Sequence, residues 1–240
     1  MQKKCLADTL RKILPLQPCG AVIVAAGTAS RMGGIDKVIA PLMGEPMILH
    51  TVRAFQDSAV IREIVIVTRE ALVGTIGTLC SGMDKVRCVV AGGNSRQESV
   101  EIGLHTLSKN VKLVAVHDGA RPLVSQEIID RTVRAAHIYG AAAPAILVKD
   151  TIKEEKGGLV AATPDRSKLR AVQTPQVFDL DLLKGALEKA QQDGAEVTDD
   201  CSAVERLGMS VKLVEGAENN LKVTTPIDLK IAQMLMEEGL

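Results

Sequence analysis

The chain has 240 residues, 46% of them apolar and 24% charged, and Lys plus Arg match Asp plus Glu at 29 each, so it can build a full core and carries no excess charge to draw nucleic acid or an anionic membrane. Its only aromatic residues are Phe55, Tyr139 and Phe178, too few to stack on the bases of a single strand, which argues against nucleic acid as a partner. Five scattered cysteines without a Cys-x-x-Cys pair read as buried hydrophobes or free thiols of a reducing compartment, and neither a signal-peptide core nor an apolar run of bilayer length is present, so no membrane partner and a cytoplasmic location are expected.

Residues 1–20 read as an N-terminal extension, with Leu6, Leu10, Ile13 and Leu14 at helical spacing before Pro15 and Pro18. The six apolar residues Ala21 to Ala26 then suit a strand covered on both faces, as in a parallel sheet. Behind it Gly27 and the small residues Thr28, Ala29 and Ser30 leave room for a ligand near the backbone, and Arg31 and Lys37 can reach the same anion. The plain alternative is a strand-to-helix turn with solvated cations. Neither Gly-x-Gly-x-x-Gly nor a P-loop Gly-Lys-Ser/Thr is present, which argues against a dinucleotide-dependent oxidoreductase.

Ile48, Leu49, Val52 and Phe55 form a helical stripe, Glu63–Thr68 a second strand, Ala71–Cys80 a helix despite two glycines, and Val86–Val90 a third strand. The third strand runs into Gly92-Gly93-Asn94-Ser95, where Ser95 can cap a helix with Glu98 three residues on and Val100, Leu104 and Leu107 on its inner face. Such a loop can hold a base, ribose or phosphate, or it can be a capping box without a ligand. The strand Lys112–Val116 ends in His117-Asp118-Gly119-Ala120-Arg121-Pro122. Asp118 there can meet a divalent cation or sugar hydroxyl and Arg121 a phosphate, or the two can pair to stiffen the turn, and His117 reads as a packed histidine. Ser125 caps a helix reaching His137, and Ala141–Val148 is a fifth strand.

Strands alternating with helices predict an α/β fold with a mostly parallel sheet, its functional loops along one carboxyl edge. Residues 149–173 break the pattern: two alternating arms about Gly157-Gly158 read as a hairpin arm that finds a partner, most simply a second copy of the chain. The pattern resumes with a helix from Leu180 to Gln191, a helix capped by Thr198 or Asp199, a strand Val211–Val214, and a terminal helix opened by Pro226 shortly after Lys222. No internal repeat or linker divides residues 21–240, so one domain is expected.

Ala25-Ala26-Gly27-x-x-x-Arg31-Met32-Gly33 with Lys37, Gly92-Gly93-x-x-Arg96 with Ser99, His117-Asp118-x-Ala120-Arg121-Pro122, Asp150-Thr151, Thr174-Pro175-Gln176, Thr198-Asp199 and Lys222-Val223-Thr224 together, in that order, resemble the 2-C-methyl-D-erythritol 4-phosphate cytidylyltransferase family. The resemblance runs from about Ala21 to the C-terminus. It implies a Rossmann-like three-layer nucleotidyltransferase fold with a protruding β-arm for homodimerisation. It also implies transfer of CMP from CTP to methylerythritol phosphate, with Mg²⁺ as cofactor held mainly by the CTP phosphates.

Carried over residue by residue, the resemblance makes Arg31 and Lys37 catalytic and gives CTP binding to Ala25, Ala26, Gly27, Gly93, Asn94, Ser99, Asp118 and Gly119. It gives methylerythritol phosphate binding to Asp118, Arg121, Thr151, Arg166, Thr174, Thr198 and Lys222. Three positions depart from the family's usual pattern: Val24 for Pro, Asn94 for Asp and Gly119 for Ala. The loop from Arg31 to Lys37 is also a residue shorter than in some members. A related branch acting on ribitol 5-phosphate shares the Asp-Thr-Ile-Lys and Thr-Pro-Gln stretches but tends to Ala-Gly-Gly in the first loop. A non-catalytic nucleotide-binding protein on the same fold is the remaining alternative.

Overall fold

The computed structural model describes residues 14–27 and 38–239. The helical stripe expected over Leu6 to Leu14 falls almost wholly outside these residues, as do Arg31 and Lys37. Leu14 itself lies in a bend and is exposed, whereas Leu16 packs on the core and the Pro18 carbonyl accepts hydrogen bonds from the N–H groups of Lys112 and Leu113.

Strand β1 (Cys19–Ala25) is the sheet's middle, flanked in parallel by β4 (Ile61–Thr68) and β6 (Leu113–Asp118), with β5 (Val86–Ala91) beyond β4. β1 shows why it reads as an unbroken apolar run. Ala21 and Ile23 face one core and Val22 the other, all fully buried, so no position is left for a polar residue.

The full sheet has eight strands in the order β10 (Arg170–Val172), β7 (Ala141–Leu147), β11 (Gln176–Asp179), β6, β1, β4, β5, with β12 (Lys212–Glu215) paired in parallel to β7. Strands β10 (Arg170–Val172) and β11 (Gln176–Asp179) run antiparallel to their neighbours, which makes the sheet mixed but mostly parallel. Two short strands, β2 (Pro41–Leu42) and β3 (Glu45–Pro46), pair with each other ahead of the first helix.

Helices cover both faces, giving three layers. On one side lie α1 (Met47–Gln56), α2 (Glu70–Leu79) and α4 (Gln126–Tyr139), which bury Ile48, Val52, Phe55, Ile76, Ile128 and Val133. On the other lie α3 (Arg96–Thr106), α5 (Leu180–Gln192) and α6 (Asp200–Arg206), which bury Val100, Leu104, Leu183, Leu187 and Val204. The expected α/β class and the Rossmann-like three-layer arrangement are what the structure has. The last helix, α7 (Pro226–Glu237), starts with a capping box between Thr225 and Asp228 and packs Ala232 against Leu42, Met47 and Val223.

Within residues 149–173 the hairpin is β8 (Glu154–Lys156) and β9 (Leu159–Ala162), a separate two-stranded sheet turned by Gly157 and Gly158, both at positive φ. The segment then returns to the body, where β10 joins β7. Leu159 and Val160 on the hairpin are 75% and 64% exposed, an apolar surface with no cover in a single chain. Among the described residues no helix is long and apolar enough to cross a membrane.

Candidate active site

The carboxyl ends of β1, β4, β5 and β6 share one edge of the sheet, and a cleft of about 510 Å³ opens there. It is walled by Ala25, Ala26 and Gly27 after β1, by Gly93, Asn94, Ser95, Arg96 and Ser99 around the start of α3, and by Asp118, Ala120 and Lys222. The first two walls touch. A Cβ on Gly92 would stand 2.7 Å from Ala26 Cβ and from Ser99 Oγ, so glycine is what lets the two loops meet. A Cβ on Gly27 would meet nothing within 4 Å among the described residues, and Gly27 lines the cleft.

The start of α3 satisfies its own donors. Ser95 Oγ accepts from the Glu98 N–H at 3.0 Å, Ser99 Oγ accepts from Gly93 N–H at 3.2 Å, and the Glu98 carboxylate accepts from Asn94 N–H at 2.7 Å. In the expected capping box Glu98 would return to Ser95, but it reaches one residue further and tightens the Gly93-Asn94 turn. Ser99 is buried, and its hydroxyl also donates to the Ser95 carbonyl. Ser99 therefore shapes the loop from beneath.

Asp118 is the electrostatic centre. Its carboxylate lies 2.8 Å from Lys222 Nζ, 3.7 Å from Arg121 Nε and 3.8 Å from Arg96 Nε. Burial pushes its pKa up, but Lys222, Arg96 and Arg121 outweigh burial and bring it down to about 2. Arg96 is pinned from the other side by Asp200, fully buried at the start of α6, through a 2.7 Å ion pair. Burial raises the Asp200 pKa while Arg96 pulls it back; for Arg96, burial lowers the pKa and Asp200 more than restores it. Cations therefore outnumber carboxylates on the cleft wall: Arg69, Arg96 and Lys222 against Asp118 among the described residues. That balance suits a polyanion.

Behind Asp118 runs a buried chain of hydrogen bonds. Asp118 N–H donates to Thr174 Oγ1 at 3.1 Å, and Thr174 Oγ1 lies 3.0 Å from His117 Nδ1. His117 Nε2 faces the Arg121 carbonyl at 3.2 Å. A carbonyl can only accept, so Nε2 carries the proton and Nδ1 accepts from the Thr174 hydroxyl. Burial, only partly offset by Asp118, brings the His117 pKa down to about 4, so the ring stays neutral. His117 is the packed histidine expected of it.

Of the residues singled out from sequence, Ala25, Ala26, Gly27, Gly93, Asn94, Ser99, Asp118 and Lys222 line one cleft, with Arg121 and Thr174 bonded immediately behind Asp118. Gly119 is packed beneath, where a Cβ would come within 3.0 Å of Ala25 Cβ and of Ile48 Cδ1. Thr151, Arg166 and Thr198 are exposed and do not line the cleft within this chain. Arg166 donates to the Lys149 carbonyl across the base of the hairpin, and beside Thr198, Asp199 caps α6. Arg31 and Lys37 lie outside the described residues; the residues bounding that segment, Gly27 and Val38, both line the cleft.

Arg69 and Asp200 belong to the site or its support and were not picked out from sequence. Arg69 follows the last residue of β4 and stands at the same sheet edge as the other loops, a placement the strand-end rule could have flagged. Asp200 carries no local signal, since its role comes from an arginine 104 positions earlier.

Among the described residues the site has no covalent nucleophile paired with a base, and its one histidine is held neutral and buried. What it offers is aligned backbone and cations. No group of three or more His, Cys, Asp or Glu able to hold a metal occurs among the described residues. Asp118, whose Oδ2 is taken by Lys222, is the one carboxylate on the cleft wall among the described residues and has a single less engaged oxygen, Oδ1.

The profile of the family described as 2-C-methyl-D-erythritol 4-phosphate cytidylyltransferase matches residues 19–238. A protein of that name from Symbiobacterium thermophilum is 44% identical over 223 residues, covering 92% of this chain and 94% of its own. One from Bacillus velezensis is 45% identical over 220 residues, covering 90% and 94%. Among solved structures, the 4-diphosphocytidyl-2C-methyl-D-erythritol synthase of Anaerococcus prevotii superposes with a TM-score of 0.84 at 29% identity, covering 93% of this chain and 100% of its own. The 2-C-methyl-D-erythritol 4-phosphate cytidylyltransferase of Thermus thermophilus superposes with a TM-score of 0.75 at 33% identity, covering 90% and 98%.

Proposed function

The chain belongs to the 2-C-methyl-D-erythritol 4-phosphate cytidylyltransferase family, and on that premise we propose that it transfers CMP from CTP to 2-C-methyl-D-erythritol 4-phosphate, giving 4-diphosphocytidyl-2-C-methyl-D-erythritol and pyrophosphate. The observation that carries this is the cleft itself, a glycine-lined pocket at the carboxyl edge with Lys222, Arg121 and Arg96 drawn around one carboxylate.

In this reaction a phosphate monoester oxygen attacks the α-phosphorus of CTP and pyrophosphate departs opposite to it. Two anions must be brought together and negative charge on the leaving group relieved, and no enzyme-bound intermediate is needed. Ala25, Ala26, Gly27, Gly93 and Asn94 bind the nucleotide, and Ser99 and Gly119 support the loops beneath it. Arg31 and Lys37 stabilise the charge that builds up at the α-phosphorus and on the departing pyrophosphate. Asp118 gathers Lys222 and Arg121, and with Thr174 they receive the acceptor's phosphate and polyol. Asp118 is not a proton acceptor, because with its pKa near 2 it has almost no affinity for a proton at neutral pH.

Mg²⁺ supplies further charge neutralisation on the phosphate oxygens. The donor set fits an ion that enters on the triphosphate, with Asp118 Oδ1 the only cleft carboxylate oxygen among the described residues available to it. Thr151, Arg166 and Thr198 complete the acceptor site. Thr151 and Arg166 do so from the arm of residues 149–173 in a homodimer, whose exposed Leu159 and Val160 supply apolar contact area. The domain spans residues 21–240 behind an N-terminal extension, and the protein works in the cytoplasm.

The test is pyrophosphate release with CTP, Mg²⁺ and either methylerythritol phosphate or ribitol 5-phosphate. Turnover of the first is expected, and turnover of ribitol 5-phosphate alone would overturn the assignment. Lys37→Ala should lower turnover about a hundredfold while leaving the fold intact, the usual scale for removing one preorganised electrostatic group. A near-normal rate in that variant would point to a nucleotide-binding protein without catalysis.

A further inference from the structure

Lys222 reaches Asp118 from a loop with no regular secondary structure, so something must aim it. The loop's one fully buried polar side chain is Asn220, two residues before the lysine. Its amide NH₂ donates to the Thr174 carbonyl at 3.0 Å and to Gln173 Oε1 at 3.3 Å. Both partners are oxygens, which fixes the orientation of the amide. Its backbone carbonyl accepts from Arg121 Nη1 at 2.6 Å, and its backbone N–H donates to the Ala217 carbonyl at 3.1 Å. Gln173, also buried, grips the same loop through Ala217, donating from Nε2 to the carbonyl at 2.7 Å and accepting from the N–H at 3.3 Å.

One residue therefore touches the backbone of Thr174 and the side chain of Arg121 and sets the start of the short run to Lys222, which Val223 N–H then ties to the Ala120 carbonyl at 2.8 Å. Every one of these groups converges on Asp118. Its Oδ1 is buried and has no hydrogen-bond partner among the described residues.

We propose that Asn220 is a positioning residue for the acceptor half of the site: its amide locks the 216–222 loop to the Thr174 turn and its carbonyl holds Arg121, so that Lys222, Arg121 and Thr174 face the incoming phosphate monoester as one unit. This rests on the acceptor role given above to those three residues. Asn220 makes no bond to the Ala25–Gly27 or Gly93–Asn94 walls, so its effect should fall on the acceptor more than on CTP.

The experiment uses the full chain with substitutions Asn220→Ala and Asn220→Ser. CTP affinity is measured by calorimetry without acceptor, and steady-state rates are measured against methylerythritol phosphate at saturating CTP. Asn220→Ala should keep the CTP dissociation constant within about twofold and lower kcat/KM for the acceptor at least about tenfold, the scale of misplacing a reacting group by a fraction of an ångström. Asn220→Ser, with one donor left, should recover part of the loss. In a Lys222→Ala background the further loss from Asn220→Ala should shrink, because part of what it aims is gone.

Equal loss of CTP binding and acceptor use, or collapse of the fold in both variants, would assign Asn220 to the scaffold and overturn the proposal. So would an unchanged kcat/KM. A wild-type chain that releases no pyrophosphate would sink the reading of the reaction and this inference with it; an active wild type with an indistinguishable Asn220→Ala variant would sink the inference alone.

Discussion

Acidification from pH 7 to pH 5 should weaken the fold by about 2 kcal/mol through His117 alone. The ring's pKa falls from 6.5 to about 4 on burial, so protons bind the unfolded chain more readily than the folded one across this window. A depressed folded pKa gives stability that is complete above the unfolded value and is lost as pH drops towards the folded value, here from about 6.5 down to about 4. Each pKa unit of difference corresponds to about 1.4 kcal/mol, and at pH 5 roughly one and a half units of the available two and a half have been spent.

Urea unfolding at the two pH values, followed by far-UV circular dichroism because the chain has no tryptophan, gives the total change. Subtracting the same difference for His117→Gln removes the contribution of the carboxylates and leaves that of the ring. The wild type should lose about 2 kcal/mol more than the variant over this interval. Equal losses in the two proteins would refute a neutral, buried His117. So would an imidazole nitrogen NMR titration with a midpoint near the free value.

Five further substitutions probe the site's supports and the arm. Asp200→Asn removes the buried charge that pins Arg96, whose side chain is a third exposed, and should cost about 2–3 kcal/mol in urea unfolding, with weakened CTP binding by calorimetry. Gly92→Ala drives a methyl group into Ala26 and Ser99 and should cost about 1–3 kcal/mol, whereas Gly27→Ala, which meets no described residue within 4 Å, should leave the melting temperature unchanged and weaken CTP binding. Lysine substitutions at Leu159 and Val160, exposed in the single chain, should abolish in sedimentation the homodimer proposed above without changing the circular dichroism spectrum, and an unchanged sedimentation coefficient would refute the arm's role.

The central strands were legible because parallel strands covered on both faces leave an uninterrupted apolar imprint, as Ala21 to Ala25 do between two cores. The caps at Ser95, Ser125 and Asp199 were legible because a cap acts on residues two or three positions away. β11 was not. It is four residues long and antiparallel, and its start at Gln176 is polar because that side chain is spent on Asp199 and on the Cys201 N–H. Most of the cleft could be read from glycines and charges at strand ends. Its supports could not: Asn220, Gln173 and Asp200 are polar residues whose side-chain partners lie 44 to 104 positions away, and only the folded chain says which group each one faces. Arg69 was readable in principle and passed over, since an arginine before an acidic helix start resembles ordinary surface.

The antiparallel insertion of β11 between β6 and β7 also bears on how the protein comes into being. A chain emerging from the ribosome can pair β1, β4, β5 and β6 from its first 118 residues, but the free side of β6 waits for Gln176–Asp179. Until then Leu113 to Val116 is an unsheltered apolar rim able to recruit strands from other molecules. Closing that rim is the same event that brings Thr174 to Asp118. A chain that stops short of β11 thus lacks both the cover of that rim and the Thr174–Asp118 contact.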